Sequence, residues 1–112
     1  MNDRFEISLL LDYYMELLTE KQQDIMNMYY NDDFSLAEIA EINNTSRQAI
    51  HDLIKRCDKT LISYEEKLKL LEKSNIRKTK KNEIVEKLTN EYMLSKELVD
   101  DIDEMLEEII NS

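Results

Sequence analysis

Neither glycine nor proline occurs anywhere in this chain, and that absence restricts its folds more than any other feature. Two-residue hairpin turns need glycine or asparagine in left-handed positions. The residues that dominate instead, Leu, Ile, Met, Glu and Lys, favour helices. An all-α fold of about six helices is therefore expected. With 112 residues the chain has room for one core, so residues 1–60 are expected to form a helix-turn-helix module and residues 61–112 a helical extension packed on it as one compact domain. No run of about 18 apolar residues exists, and Asp3 and Glu6 stand where a leader would carry basic residues. This predicts a cytoplasmic protein with no membrane insertion. The single Cys57 can neither close an internal disulfide nor hold zinc alone.

Helix starts are legible from capping patterns. Asp3 with Glu6 opens a helix over about 3–18, whose Phe5, Leu9, Leu10, Tyr13, Tyr14, Leu17 and Leu18 recur at helical spacing. Thr19 with Gln22 forms a capping box for a second helix that Asn31, Asp32 and Asp33 break. Ser35 with Glu38 forms another, before a short helix ends at Asn43 and Asn44, and Ser46 caps the next. From there Ile50, Ile54, Cys57, Leu61, Tyr64, Leu68 and Leu71 alternate at spacings of four and three, a heptad seam. A helix held from Ser46 to about Lys73 would be about 42 Å long, and its far half needs a cover. The last two helices, 82–93 and 95–110, are the expected cover, and a homodimer through the long helix is the alternative. Residues 74–81 read as a polar, basic link between helices.

The stretch 35–50 has the layout of a helix-turn-helix. Ala40 is small where the two helices cross, Ile39 and Ile50 lock them, and Asn44 falls where the backbone wants a left-handed conformation, which asparagine tolerates. At 100° per residue the second helix turns Ile50, Leu53, Ile54 and Cys57 inward. Gln48, His51, Asp52, Lys55 and Lys59 face outward, with Arg47 on the flank and Ser46 at the cap. That outward face is where a DNA-reading helix makes its contacts, although Asp52 near its centre opposes phosphate.

The formal charge of −10 argues against unaided nucleic-acid binding, whose affinity comes largely from neutralising phosphates. Its distribution softens the objection: −6 over 1–34, 0 over 35–57, +4 over 58–81 and −8 over 82–112. Arg77, Lys78, Lys80 and Lys81 close the basic band, and they read equally as a solvated linker or as an RNA or phosphate contact.

The runs 18–23 (LTEKQQ), 29–41 (YYNDDFSLAEIAE), 46–50 (SRQAI), 54–56 (IKR) and 64–68 (YEEKL) resemble the YlxM family of small bacterial helix-turn-helix proteins. The resemblance covers about residues 5–75; Asn43, Asn44 and Thr45 depart from the family's usual bulkier residue, glycine or asparagine, and aliphatic. It implies a module similar to region 4 of sigma factors, encoded near the genes of the signal recognition particle. It further implies a regulatory or accessory role in that pathway, through the particle's GTPase or its RNA.

The remaining features favour structural readings. Cys57 on the seam is expected to be a small buried residue, and the two tyrosine pairs, Tyr13 with Tyr14 and Tyr29 with Tyr30, to pack in the core. His51 reads as a polar surface residue, with a base contact as the alternative. The acids from Asp100 to Glu108 lack the order of a calcium loop and read as a solvated helix face. No glycine-rich phosphate loop, activated nucleophile or metal-ligand cluster is present, so no enzyme, no cofactor and no metal is expected. The functional readings are a signal recognition particle accessory protein, a DNA-binding transcriptional regulator, and a structural adaptor that uses the long helix and acidic tail to dimerise.

Overall fold

A computed structural model describes residues 3–112; the first two positions of the expected 1–60 module lie outside the described residues. The helices are α1 (Arg4–Tyr14), continued by a 3₁₀ turn over Met15–Leu17, α2 (Glu20–Tyr30), α3 (Leu36–Ile42), α4 (Arg47–Leu68), α5 (Leu70–Asn90) and α6 (Lys96–Asn111). No strand occurs among the described residues. Each cap read from the sequence is made. Asp3 accepts from the Glu6 amide, Thr19 and Gln22 form a reciprocal capping box, Ser35 and Glu38 form another, and Ser46 accepts from Ala49; Ser95, not read as a cap from the sequence, accepts from Leu98. Hydrogen bonding with Ser35, first through its backbone amide, holds the Glu38 carboxyl below the usual range.

The chain divides into two units, one ending at Leu71 and the other running from Glu72 to Ser112. In the first, α1, α2 and α3 all pack on α4. Ile50, Ile54, Cys57 and Leu61 of α4 are buried against Ile7, Leu10, Leu11, Tyr14, Leu18, Ile25, Met26 and Ile39. Burial pushes the Cys57 thiol up, so it packs as a small apolar residue and not as a thiolate. Arg4 fastens the start of α1 to the end of α2. Its guanidinium lies 4.5 Å from the Tyr29 ring centre and 5.0 Å from that of Tyr30, donates to the Tyr29 carbonyl, and pairs with Asp33 at 3.1 Å.

The expected continuous helix from Ser46 to Lys73 is corrected by the structure. The helix stops at Leu68, Lys69 takes the left-handed conformation at φ 55°, and α5 begins at once. The cause is a tertiary contact. The buried Tyr14 hydroxyl donates to Glu65 Oε1 at 2.6 Å and accepts from the Leu70 amide at 3.0 Å, while Glu65 Oε1 also accepts from the Leu71 amide at 3.1 Å. These are donors that the first turn of a helix leaves orphaned, so Tyr14 and Glu65 cap α5 in place of a local side chain. Burial, then the Glu65 hydrogen bond, pushes the Tyr14 hydroxyl up. The seam loosens past Leu61: Leu61 is 0% exposed and Leu68 45%, while Tyr64 and Leu71 pack half-buried against the core.

The basic link expected over 74–81 is also corrected, because those residues lie inside α5. A polar sequence without glycine or proline has nothing to break it, and the helix continues through. In the second unit α5 turns into α6 through a left-handed Met93. Its hydrogen bonds, Tyr92 N to Lys87 O and Leu94 N to Leu88 O, repeat those of the α2–α3 turn, Asp32 N to Asn27 O and Phe34 N to Met28 O, where Asp33 is left-handed. Each turn ends in a capping serine, Ser35 or Ser95. Of the apolar positions expected to be inward on α6, Val99 is buried, while Leu98, Met105 and Ile109 face solvent.

A second polar contact lies beneath α4. Tyr30 donates to Asp58 Oδ1 at 2.8 Å, and Lys55 stands 4.0 Å from Oδ2. Desolvation raises the Asp58 carboxyl, against the lowering effect of Tyr30 and Lys55, and it raises the Tyr30 hydroxyl.

Two stability predictions follow from this packing. Leu61→Ala lowers unfolding free energy by about 2–5 kcal/mol in urea titrations, while Leu68→Ala changes it by less than about 0.5 kcal/mol. For Asp58 the folded carboxyl binds its proton more tightly than the unfolded one, so its contribution is most favourable below the unfolded value and is lost as pH rises through the raised folded value. Asp58→Asn, which keeps an acceptor for Tyr30, accordingly raises the Tm at pH 7, and the difference from wild type shrinks as pH falls into the carboxylate range.

Candidate nucleic-acid interface

The α3–turn–α4 segment is built as its sequence foretells. Asn44 is left-handed at φ 52°, and the end of α3 closes with Asn44 N to Glu41 O at 3.3 Å and Thr45 N to Ala40 O at 3.0 Å. Those two bonds are a Schellman motif, normally closed by glycine. Asn43 adds a side-chain bond to the Ile39 carbonyl at 2.8 Å. Asn43, Asn44 and Thr45 therefore form an ordered turn from residues that are not glycine. Ile39, Ala40 and Ile50 are buried at the crossing.

Ser46 leaves the start of α4 capped, with no acidic residue in its first turn. The uncompensated helix dipole favours an anion there. Arg47 and Gln48 are exposed beside it, His51 is half-buried, and Lys55, Arg56 and Lys59 extend the exposed face. Arg56 was not singled out from the sequence, since helical phase places it towards the flank. Asp52 sits among them and ties up Gln48, whose Nε2 donates to Asp52 Oδ1 at 2.9 Å; His51 Nδ1 lies 3.6 Å from the same oxygen, beyond hydrogen-bonding distance. Lys55 leans towards Asp58, while Arg47 and Lys59 make no ion pair among the described residues.

Arg77, Lys78, Lys80 and Lys81 lie on α5 in the second unit. Arg77 and Lys78 are exposed without an ion pair among the described residues, and Lys80 pairs with Glu83 at 3.3 Å. Lys81 is only 15% exposed; it holds Glu107 at 2.5 Å and Asp103 at 3.1 Å on α6, and hydrogen bonds to those two carboxylates raise its ammonium. Lys81 thus serves the hairpin before any ligand. No group of three His, Cys, Asp or Glu side chains converges to hold a metal, and no helix is long and apolar enough to cross a membrane, among the described residues.

Residues 1–105 match the UPF0122 family of YlxM / p13-like helix-turn-helix proteins. The chain belongs to this family. It is 59% identical to a UPF0122 protein of Clostridium perfringens strain 13 over the full length of both chains. It is 52% identical to one of Clostridium acetobutylicum, covering 100% of this chain and 97% of the relative, and 60% identical to one of Clostridium botulinum strain Alaska E43 over 85% and 87%. Membership accounts for the helix-turn-helix.

The electrostatics of α4 give a direct test. Asp52→Asn removes the carboxylate that faces an incoming phosphate, so this variant binds a duplex oligonucleotide more tightly than wild type at low salt, with a steeper salt dependence. Arg47→Ala together with Lys59→Ala weakens binding and flattens the slope by about one to two units. Fluorescence anisotropy at two salt concentrations reads both.

Proposed function

We propose that this protein is a non-enzymatic regulatory or accessory factor of the signal recognition particle pathway, which binds the particle's RNA or its GTPase. The observation that carries the reading is the composition of the α4 face. A Schellman turn and a capped helix start present Arg47 and Gln48, yet Asp52 holds Gln48 at 2.9 Å and places a carboxylate amid the cations. A face so arranged is poorly suited to a stand-alone duplex reader on a chain of charge −10. It suits a partner that brings its own complementary groups. The resemblance to the YlxM family supports the choice of pathway, and the exposed Arg77 and Lys78 of α5 supply a second cationic patch for RNA phosphates.

The second reading is a DNA-binding transcriptional regulator, favoured by the same turn geometry and by an α4 start free of acidic residues. One assay separates the two. Particle RNA, purified particle GTPase and promoter duplexes are titrated side by side at moderate salt. Binding to the RNA or the GTPase, lost in Arg47→Ala/Lys55→Ala, is the expected result. No binding to either rejects the first reading, and sequence-selective, salt-dependent duplex binding establishes the second.

A further inference from the structure

The second unit leaves unusually large apolar side chains in solvent. Between α5 and α6 runs an apolar groove lined by Ile76, Ile84, Leu106, Ile109 and Ile110, bordered by Arg77 and Lys80. Ile76 is 55% exposed, Met105 62% and Ile109 70%. Two helices can cover each other along one seam only, so a helix pair leaves part of its apolar surface without cover from within the pair. Contiguous exposed apolar surface edged by charge marks a contact site.

The charges around it identify the occupant. The groove is bordered by Arg77, which makes no ion pair among the described residues, and by Lys80, whose pairing with Glu83 at 3.3 Å is exposed, while Lys81 within it is already neutralised by Asp103 and Glu107. Its complement is therefore a helix with an apolar ridge edged by carboxylates. Helix α6 is such a helix: Leu98, Met105 and Ile109 lie exposed along it, with Asp101, Glu104 and Glu108 exposed beside them. One hairpin thus carries both the groove with basic borders and the ridge with acidic edges.

We propose that the α5–α6 hairpin is a self-association surface through which two copies of this chain dimerise. A two-fold axis sets the α6 ridge of each copy against the α5 border of the other, so the contact forms twice, as an isologous interface requires. Four helices then share one apolar centre in the manner of an antiparallel bundle. The 16 residues of α6 give a contact line of about 24 Å. The pairing of Glu104 and Glu108 with Arg77 and Lys80 fixes the orientation, since the reversed arrangement opposes like charges.

Sedimentation equilibrium on the full chain tests this with charge-swapped variants at exposed positions, with circular dichroism confirming unchanged helix content. Wild type sediments at twice 13.4 kDa at tens of micromolar, and dissociation strengthens with salt. Arg77→Glu/Lys80→Glu and Glu104→Lys/Glu108→Lys each weaken dimerisation at least tenfold, and mixing the two variants restores a dimer because every border then meets a ridge of opposite sign. The proposal is overturned by a monomeric wild type, by charge variants that dimerise as wild type does, or by a mixture that stays monomeric. A monomer that instead captures an acidic peptide or an anionic vesicle would count against it equally.

Discussion

Four side chains of α4, Ile50, Ile54, Cys57 and Leu61, bear the packing of the first unit. Helices α1, α2 and α3 all lie on this one stripe, and each side chain in it is almost fully buried. Short helices are unstable by themselves, because nucleation fixes several residues for one hydrogen bond. The seven-residue α3 therefore owes its helical state to Ile39 and Ala40 docking on α4, with the Ser35–Glu38 capping box as the local contribution. The same docking orients the helix-turn-helix. The inward stripe of α4 dictates which residues face out, so the position of Arg47, Gln48 and Lys59 is a consequence of the core.

A chain without glycine must make its turns from residues that resist the left-handed region. Asp33, Asn44, Lys69 and Met93 all occupy it, at φ between 52° and 60°. For an L-residue this costs roughly 1–2 kcal/mol, offset by the contacts that each turn permits. Asn44 is the least costly of them and closes a Schellman motif. Lys69 has no such local advantage and is held by Tyr14 and Glu65. The turns at Asp33 and Met93 share one hydrogen-bond pattern, each followed by an apolar residue and a capping serine. Two helical hairpins in different units thus use the same solution to the same shortage.

Two tyrosine hydroxyls make polar contacts with α4 in the first unit. Tyr14 holds Glu65, and Tyr30 holds Asp58. Neither contact shows in the periodicity of the sequence, because the partners stand 51 and 28 residues apart. The core packing expected of the tyrosine pairs holds for Tyr14, and Tyr29 and Tyr30 pack half-buried against the core cluster, whereas Tyr13 is exposed.

Helical class, the capped starts at Asp3, Thr19, Ser35 and Ser46, the helix-turn-helix and the inward stripe through Leu61 were determined by the sequence alone, because each rests on spacings of three and four residues or on a cap three residues away. The same local rules made α4 run on to Lys73 and made 74–81 a link, and there they failed. Nothing in residues 65–73 signals a break: the left-handed Lys69 follows from a hydroxyl supplied by α1, a contact visible only once α1 and α4 are packed. Outward positions on α4 were likewise legible from helical phase, and so was the i,i+4 neighbourhood of Gln48 and Asp52, but the capture of Lys81 by the acids of α6 was not. Periodicity assigns a side chain to a face. Whether a charge on that face is free or already paired was decided by tertiary structure, since it depends on which rotamers and which neighbouring helix come within hydrogen-bonding distance.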